Sequence, residues 1–274
     1  MTNSHATSLL PAGRCYLVGA GPGDPELLTL KALRLIQSAT LLLADDLVSA
    51  DIVKLASASA RVVHVGKRGG RLQKWHPVDL LGETLRQLVE RSGINPADLD
   101  DVIVGCVLQW DQQHGNLGRH AVLAAGLPES VPAVTVDRQC GSSQQAIHFA
   151  AQAVMSGAMD VVIAAGVESM TRVPMFATSE MPRKAGMGFY MSPAIQKRYP
   201  GIEFSQFMGA EMIAKKYDIS KEQLDAYALL SHQRAVAATQ AGYFKQEILP
   251  IAVRSAEGDA EDEGQPHTVD EGIR

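Results

Sequence analysis

An α/β fold built on parallel strands is what this sequence predicts, and three observations carry the prediction. Short apolar, β-branched runs recur along the chain, amphipathic stretches at helical spacing lie between them, and turns bearing glycine or proline separate the two kinds. Continuous apolar strands of that length suit a sheet covered on both faces. The 274 residues are enough for about two domains. Hydrophobic residues make up 46% and charged residues 20%, a globular balance that excludes the disordered and membrane classes. A net charge of -5 offers no basic surface that would gather phosphates, so no nucleic-acid partner is expected. The apolar stretches are too short to span a bilayer, so no membrane partner is expected either. Cys15, Cys106 and Cys140 lack paired spacing, which argues against a disulfide framework and against a metal site, and suits a reducing, cytoplasmic setting.

Residues 1–13, without a basic start or a long apolar core, read as a flexible leader. CYLVGA, GPGDPE and LLTLKALRLIQSA then read as strand, turn and helix, and TLLLADDLV and ARVVHVGKRGG add two further strands, giving a short α/β segment over residues 14–70. The next helix starts at HPVDLLGETLRQLVERSG, with Val78, Leu81, Leu85, Leu88 and Val89 on one face and Gly93 as its stop. Asn95-Pro96 reads as a cap followed by a first-turn proline, DDVIVGCVLQ as a buried strand, RHAVLAAG as a short helix and PAVTVD as a strand. SSQQAIHFAAQAVMSG is apolar on most sides, as for a helix held inside a protein, and VVIAAGVES returns as a buried strand, closing a domain over residues 71–170. A Met-, Gly- and Pro-rich stretch and two helices, the second opened by a Ser220/Gln223 capping box, fill residues 171–254. The acidic residues 255–274, nearly free of apolar side chains, are expected to be mobile.

Two places carry chemistry. GAGPGD sets Gly19, Gly21 and Gly23 directly after a strand, where small residues let a ligand or a second backbone approach. Asp24 stands where a dinucleotide fingerprint needs glycine, which disfavours a nicotinamide site. A plain strand-to-helix turn fits the same residues, and Asp45 and Asp46 read equally well as solvated loop carboxylates. YLVGAGPGDPELLTLKALRLIQSA, DDLVS and VGKRG resemble the start of the uroporphyrinogen-III C-methyltransferases. The resemblance implies that Gly19, Gly21, Pro22, Gly23 and Asp24 belong to a cleft for S-adenosylmethionine, although later motifs that close round the methyl donor do not follow.

The second place is VTVDRQCGSSQQAI, where Cys140 falls at the turn from a strand to a helix. Unpaired amides at a helix start favour negative charge nearby, a setting for a nucleophilic sulfur. Position alone also suits an inert cysteine packed as a small hydrophobe. GRLQKWHPVDLL, DDVIVGCV, the run from GNLGRHAV to GVESMTRVPM, and FSQFMGAEMIAKKYDISKEQLDAYALLSHQRA resemble thiolases from about Arg71 to Arg274, with DRQCGSSQQA as that family's nucleophile motif. The resemblance implies a thiolase-like amino-terminal α/β layer with a partial loop domain, preceded by the methyltransferase-like segment. It also implies that Cys140 accepts an acyl group from a coenzyme A thioester with no further cofactor, and that Phe207 and Met208 line the acyl pocket. S-adenosylmethionine enters only if the amino-terminal segment is itself functional. Cys106 is expected to be strand packing, and His76 and His148 structural.

Members of that family also use a histidine in a GHP-type motif and a second cysteine in a glycine-rich motif, both from a second α/β half. Neither motif follows here, so little or no turnover is expected of this chain, along with self-association through apolar surface that the second half would cover. VGKRGG is common to both resemblances, which places a join between Val65 and Gly70. On that basis Arg61–Val65 is expected to stand in for the first thiolase strand.

Overall fold

The computed structural model describes residues 30–44, 50–64, 71–202, 204–254 and 264–271, and the chain divides into two units, Met1–Arg68 and Gly69–Arg274. In the first unit helix α1 (Leu30–Ser38) buries Ala32 and Ile36, strand β1 (Leu41–Ala44) follows, and a single turn α2 (Ala50–Val53) leads to β2 (Arg61–His64). The two strands pair in parallel, Leu41 opposite Arg61 and Ala44 opposite His64. The ladder of β2 is therefore with its own unit's β1. Within its unit, β1 lies a short crossover upstream and is the parallel partner of Arg61–His64. Gly19, Gly21, Pro22, Gly23, Asp24, Asp45, Asp46 and the 65–70 turn lie outside the described residues.

The second unit opens with α3 (Pro77–Ser92). His76 caps it, its Nδ1 accepting from the Val78 amide at 3.3 Å, Pro77 occupies the first turn, and Gly93 ends it at φ 66. Pro77, Leu81, Gly82, Leu85 and Val89 are buried, while Leu88, expected on the same face, is exposed at the edge of the stripe. A single 3-10 turn at Pro96–Asp98, capped by Asn95, then leads into β3 (Asp101–Gly105). Helix α4 (Leu117–Ala124), β4 (Ala133–Val136), α5 (Ser142–Met155) and β5 (Val162–Gly166) complete the layer. The sheet order is β4-β3-β5 and both pairings are parallel, Val102 lying opposite Ala133 on one side and opposite Ile163 on the other. Asp100 fastens the sheet's lower end: its carboxylate accepts from the Asp160 and Val161 amides at 2.7 and 3.0 Å, which holds it below the usual carboxylate range.

Alternation along β3 separates two cores. Val102 and Val104 pack with Leu81, Leu85, Ala121 and Val122 of α3 and α4, whereas Ile103 packs with Ala146 and Ala150 of α5. Leu85 is 1% exposed, so Leu85→Ala is expected to destabilise the unit by about 2–5 kcal/mol through lost transfer energy and a residual cavity. A denaturant titration should show a lower midpoint at unchanged slope.

Beyond Met170 the chain forms α6 (Ala177–Lys184), α7 (Pro193–Arg198), α8 (Gln206–Lys216) and α9 (Lys221–Gln240), the last with the expected Ser220/Gln223 capping box. Helix α6 lies within the Met-, Gly- and Pro-rich stretch and α7 begins at its end, where Ser192 and Pro193 supply a cap and first-turn proline. Neither α8 nor α9 has a buried residue. Within the acidic end, β7 (Pro266–His267) pairs antiparallel with β6 (Ile251–Ala252), and the Glu271 carboxylate accepts from the Arg71 amide at 2.9 Å. Trp75 reinforces that return, donating from Nε1 to the Ala252 carbonyl at 2.8 Å beneath the Arg254 guanidinium, 3.4 Å from the ring centroid. No helix among the described residues is long and apolar enough to cross a membrane.

Candidate active site

Cys140 owes its place to a tight turn between β4 and α5. Gln139 adopts φ 48, a left-handed conformation that a non-glycine residue holds only when its surroundings enforce it. The enforcement is local. Asp137 Oδ1 accepts the Gln139 amide at 2.7 Å, the Ser142 hydroxyl donates to the Gln139 carbonyl at 2.6 Å, and the same hydroxyl accepts the Arg138 amide at 2.9 Å. The Gly141 and Ser142 amides turn back to the Arg138 and Gln139 carbonyls at 3.1 and 3.0 Å. Gly141 occupies the N-cap of α5, so Cys140 stands one residue outside the helix and is exposed. The helix start, with its positive dipole end, is the nearest piece of regular structure to the sulfur-bearing residue.

The first turn of α5 can sit this low on the sheet because β3 and β5 both end in glycine. A Cβ built on Gly105 would overlap the carbonyl carbon of Ser142 and the amide nitrogen of Ser143, and one on Gly166 would overlap the Ser143 hydroxyl. Above these strand ends opens a cleft of ≈ 1180 Å³, lined by the segments that leave all three strands: Gly105 to Gln109 after β3, Asp137 to Cys140 after β4, and Gly166 to Glu168 after β5. A crevice at the carboxyl ends of parallel strands is where open α/β sheets place their ligands.

Two thiols line this cleft and their environments are opposite. Cys140 is exposed; Cys106 is 1% exposed and directly follows β3, its amide donating to the Val136 carbonyl at 3.0 Å. Burial, together with the charge and hydrogen bonding of Glu168, pushes the Cys106 thiol up to about 12. Sequence reasoning expected Cys106 to be strand packing. Burial agrees, and the tertiary structure adds a place on the cleft wall and an acidic neighbour. An unfolded thiol releases its proton near the ordinary value of 9.0, whereas folded Cys106 keeps it to about 12, so the folded state binds more protons between those values. Stability therefore falls as pH rises through that window. Cys106→Ala is expected to remove part of that alkaline slope, read as the difference between parent and variant in unfolding free energy from pH 8 to pH 11.

Glu168 itself is braced. Its Oε2 accepts the Val107 amide at 2.7 Å, and its Oε1 accepts the Leu108 amide at 3.1 Å and Gln113 Nε2 at 3.2 Å. Gln113, fully buried, also donates to the Leu108 carbonyl at 2.8 Å and accepts the Ser169 amide at 2.7 Å through Oε1. Neither residue was singled out from the sequence. The only signal was a polar residue placed just past a buried strand's glycine, in GVES, and its partners lie 55 to 61 residues away.

Phe207 and Met208 sit in the first turn of α8, 64% and 60% exposed, and do not line the cleft; their neighbours Phe204 and Gln206 do. Met170, Met175, Phe176 and Phe189 supply its apolar side. No histidine is among the described residues lining the cleft: His76 is the cap of α3 and His148 lies exposed on α5. No group of three or more potential metal ligands occurs among the described residues. Helix α5, apolar on most sides as for a helix held inside a protein, is covered on one side by the residues of this chain. Ser142, Gln145, Ala146 and Ala150 face the sheet, while Ile147 and Met155 are 58% and 86% exposed, because a three-stranded sheet gives the helix a single packing face.

Known proteins share both halves of this picture. Residues 14–94 match the family of tetrapyrrole (corrin/porphyrin) methylases, overlapping a thiolase match that begins at residue 56. A steroid 3-ketoacyl-CoA thiolase of Mycobacterium tuberculosis is 47% identical over 215 residues, covering 77% of this chain and 50% of the relative. A 3-ketoacyl-CoA thiolase of Escherichia coli is 41% identical over 192 residues, covering 70% and 47%. The crystal structure of the Bacillus anthracis acetyl-CoA acetyltransferase superposes with a TM-score of 0.61 at 32% identity, covering 75% of this chain and 51% of that one. The chain thus spans about half the length of the relatives it matches. With the thiolase amino-terminal domain matched over residues 56–274, most of the chain, the chain belongs to the thiolase family.

Proposed function

We propose that Cys140 is the nucleophile of a thiolase-type acyl transfer. Its thiolate attacks the carbonyl carbon of an acyl-CoA thioester, the bond from that carbon to the coenzyme A sulfur breaks, and the proton given up by Cys140 ends on the coenzyme A thiol. The acyl group stays on Cys140 as a thioester, electrophilic enough to pass to the carbanion of a second acyl-CoA; the reverse direction cleaves a 3-ketoacyl-CoA. No cofactor is needed for these steps. One observation carries the reading: an exposed thiol stands at a helix start on the rim of a cleft at the carboxyl ends of parallel strands. The relatives named as thiolases support the same chemistry.

The test is to incubate the folded chain with acetyl-CoA and map the adduct by mass spectrometry. An acetyl group on the Cys140 peptide, with one equivalent of free coenzyme A, is expected; a folded sample with no adduct there removes the reading. The exposed apolar residues of α5, α8 and α9 support self-association, which sedimentation at several concentrations would measure. Free Cys106 and Cys140 support a reducing, cytoplasmic location.

A second reading rests on the tetrapyrrole methylase match, by which Gly19, Gly21, Pro22, Gly23 and Asp24 would contact S-adenosylmethionine. Calorimetric titration of the whole chain with S-adenosylmethionine decides it, and an absence of binding heat ends it.

A further inference from the structure

We propose that Gln113 and Glu168 are positioning residues for Cys140, forming a latch that fixes the strand-end floor on which the nucleophile turn rests. The latch joins the segment after β3 to the segment after β5. Glu168 takes the Val107 and Leu108 amides, and buried Gln113 spans the gap between the Leu108 carbonyl and the Ser169 amide while donating to Glu168. Each of these contacts is within hydrogen-bond distance, both ends of the Gln113 amide are used, Glu168 lies two residues past Gly166, and the amides it takes lie two and three residues past Gly105. Those glycines are what the first turn of α5 rests on, through Ser142 and Ser143, and Ser142 is the residue whose hydroxyl holds the Gln139–Cys140 turn. The load path runs from Gln113 and Glu168, through the two strand ends, to the helix start and Cys140. Its purpose is twofold: it keeps the turn in register with the cleft, and it keeps Cys106 inside the wall, so that of the two thiols there only Cys140 meets a reagent.

The consequence for acylation rests on the acyl-transfer reading, and the experiment separates the two. Glu168→Ala, Glu168→Gln and a core control, Val89→Ala, are compared with the parent chain for unfolding midpoint, for the rate of Cys140 acetylation by acetyl-CoA, and for alkylation of Cys106 and Cys140 by iodoacetamide at pH 8. Glu168→Ala is expected to slow acetylation at Cys140 by about 10- to 100-fold, the scale of a displacement of about an ångström at a reacting centre. It is also expected to open Cys106 to iodoacetamide. Glu168→Gln, which keeps one acceptor oxygen, recovers part of both effects and serves should the alanine variant fail to fold. Val89→Ala lowers the midpoint and leaves the thiols as in the parent. If the Glu168 variants match Val89→Ala at both cysteines, the latch is packing only and the inference is overturned. Should the parent take no acetyl group at all, the acyl-transfer reading falls, while the iodoacetamide comparison still decides the latch.

Discussion

Cys140→Ala is expected to abolish covalent acetyl transfer from acetyl-CoA to the chain and to leave the fold standing. The side chain removed is exposed, so its loss opens no core cavity, and the unfolding free energy should change by no more than about 0.5 kcal/mol. The loss of adduct should be complete, because no neighbouring group can substitute. Cys106 lines the same cleft but is buried and kept protonated by that burial and by Glu168. Of the serines beside Cys140, Ser142 has its hydroxyl engaged in the turn, accepting from the Arg138 amide and donating to the Gln139 carbonyl. Intact-mass measurement of parent and variant after acetyl-CoA treatment, with near-ultraviolet dichroism to confirm folding, reads the result directly. Persistence of the acetyl group in the alanine variant would place the acyl acceptor on another residue and take Cys140 out of the mechanism.

Gly105→Ala is expected to damage both the fold and the nucleophile. The new Cβ would meet backbone atoms of Ser142 and Ser143, which cannot swing aside as a side chain can. The first turn of α5 must lift or β3 must shift, at about 1–3 kcal/mol by analogy with overpacked cores. Because that turn carries the Cys140 loop, the acetylation rate should fall by about 10- to 100-fold as well. Gly93→Ala is the informative contrast: nothing lies within 4 Å of its Cβ, but φ 66 makes the substitution strained, so it should cost about 1 kcal/mol and leave Cys140 unaffected. Paired denaturant titrations and acetylation rates separate the two glycines. Equal behaviour at Cys140 would mean that the helix start is not supported through Gly105.

What the sequence by itself determined is whatever depends on neighbours along the chain. The helical stripe of Leu81, Leu85 and Val89, the His76 and Gly93 ends of α3, the Ser220/Gln223 box and the strand at Val102–Val104 are fixed by local spacing and capping. The strand-to-helix turn around Cys140 is equally local, since Asp137, Gln139 and Ser142 enforce it within six residues. Tertiary structure decided the rest. Leu88 passed the same spacing test yet fell outside the buried stripe, and α5, apolar nearly all round, received cover from the sheet on one face alone. Pairing of β2 with β1, and of β7 with β6 across residues expected to be mobile, depended on which edge was within reach. The wall of the cleft shows the reason most plainly. Cys106, Gln113 and Glu168 are ordinary letters at their own positions, and their chemistry appears only when β3 and β5 lie side by side and bring residues some 60 positions apart within a hydrogen bond.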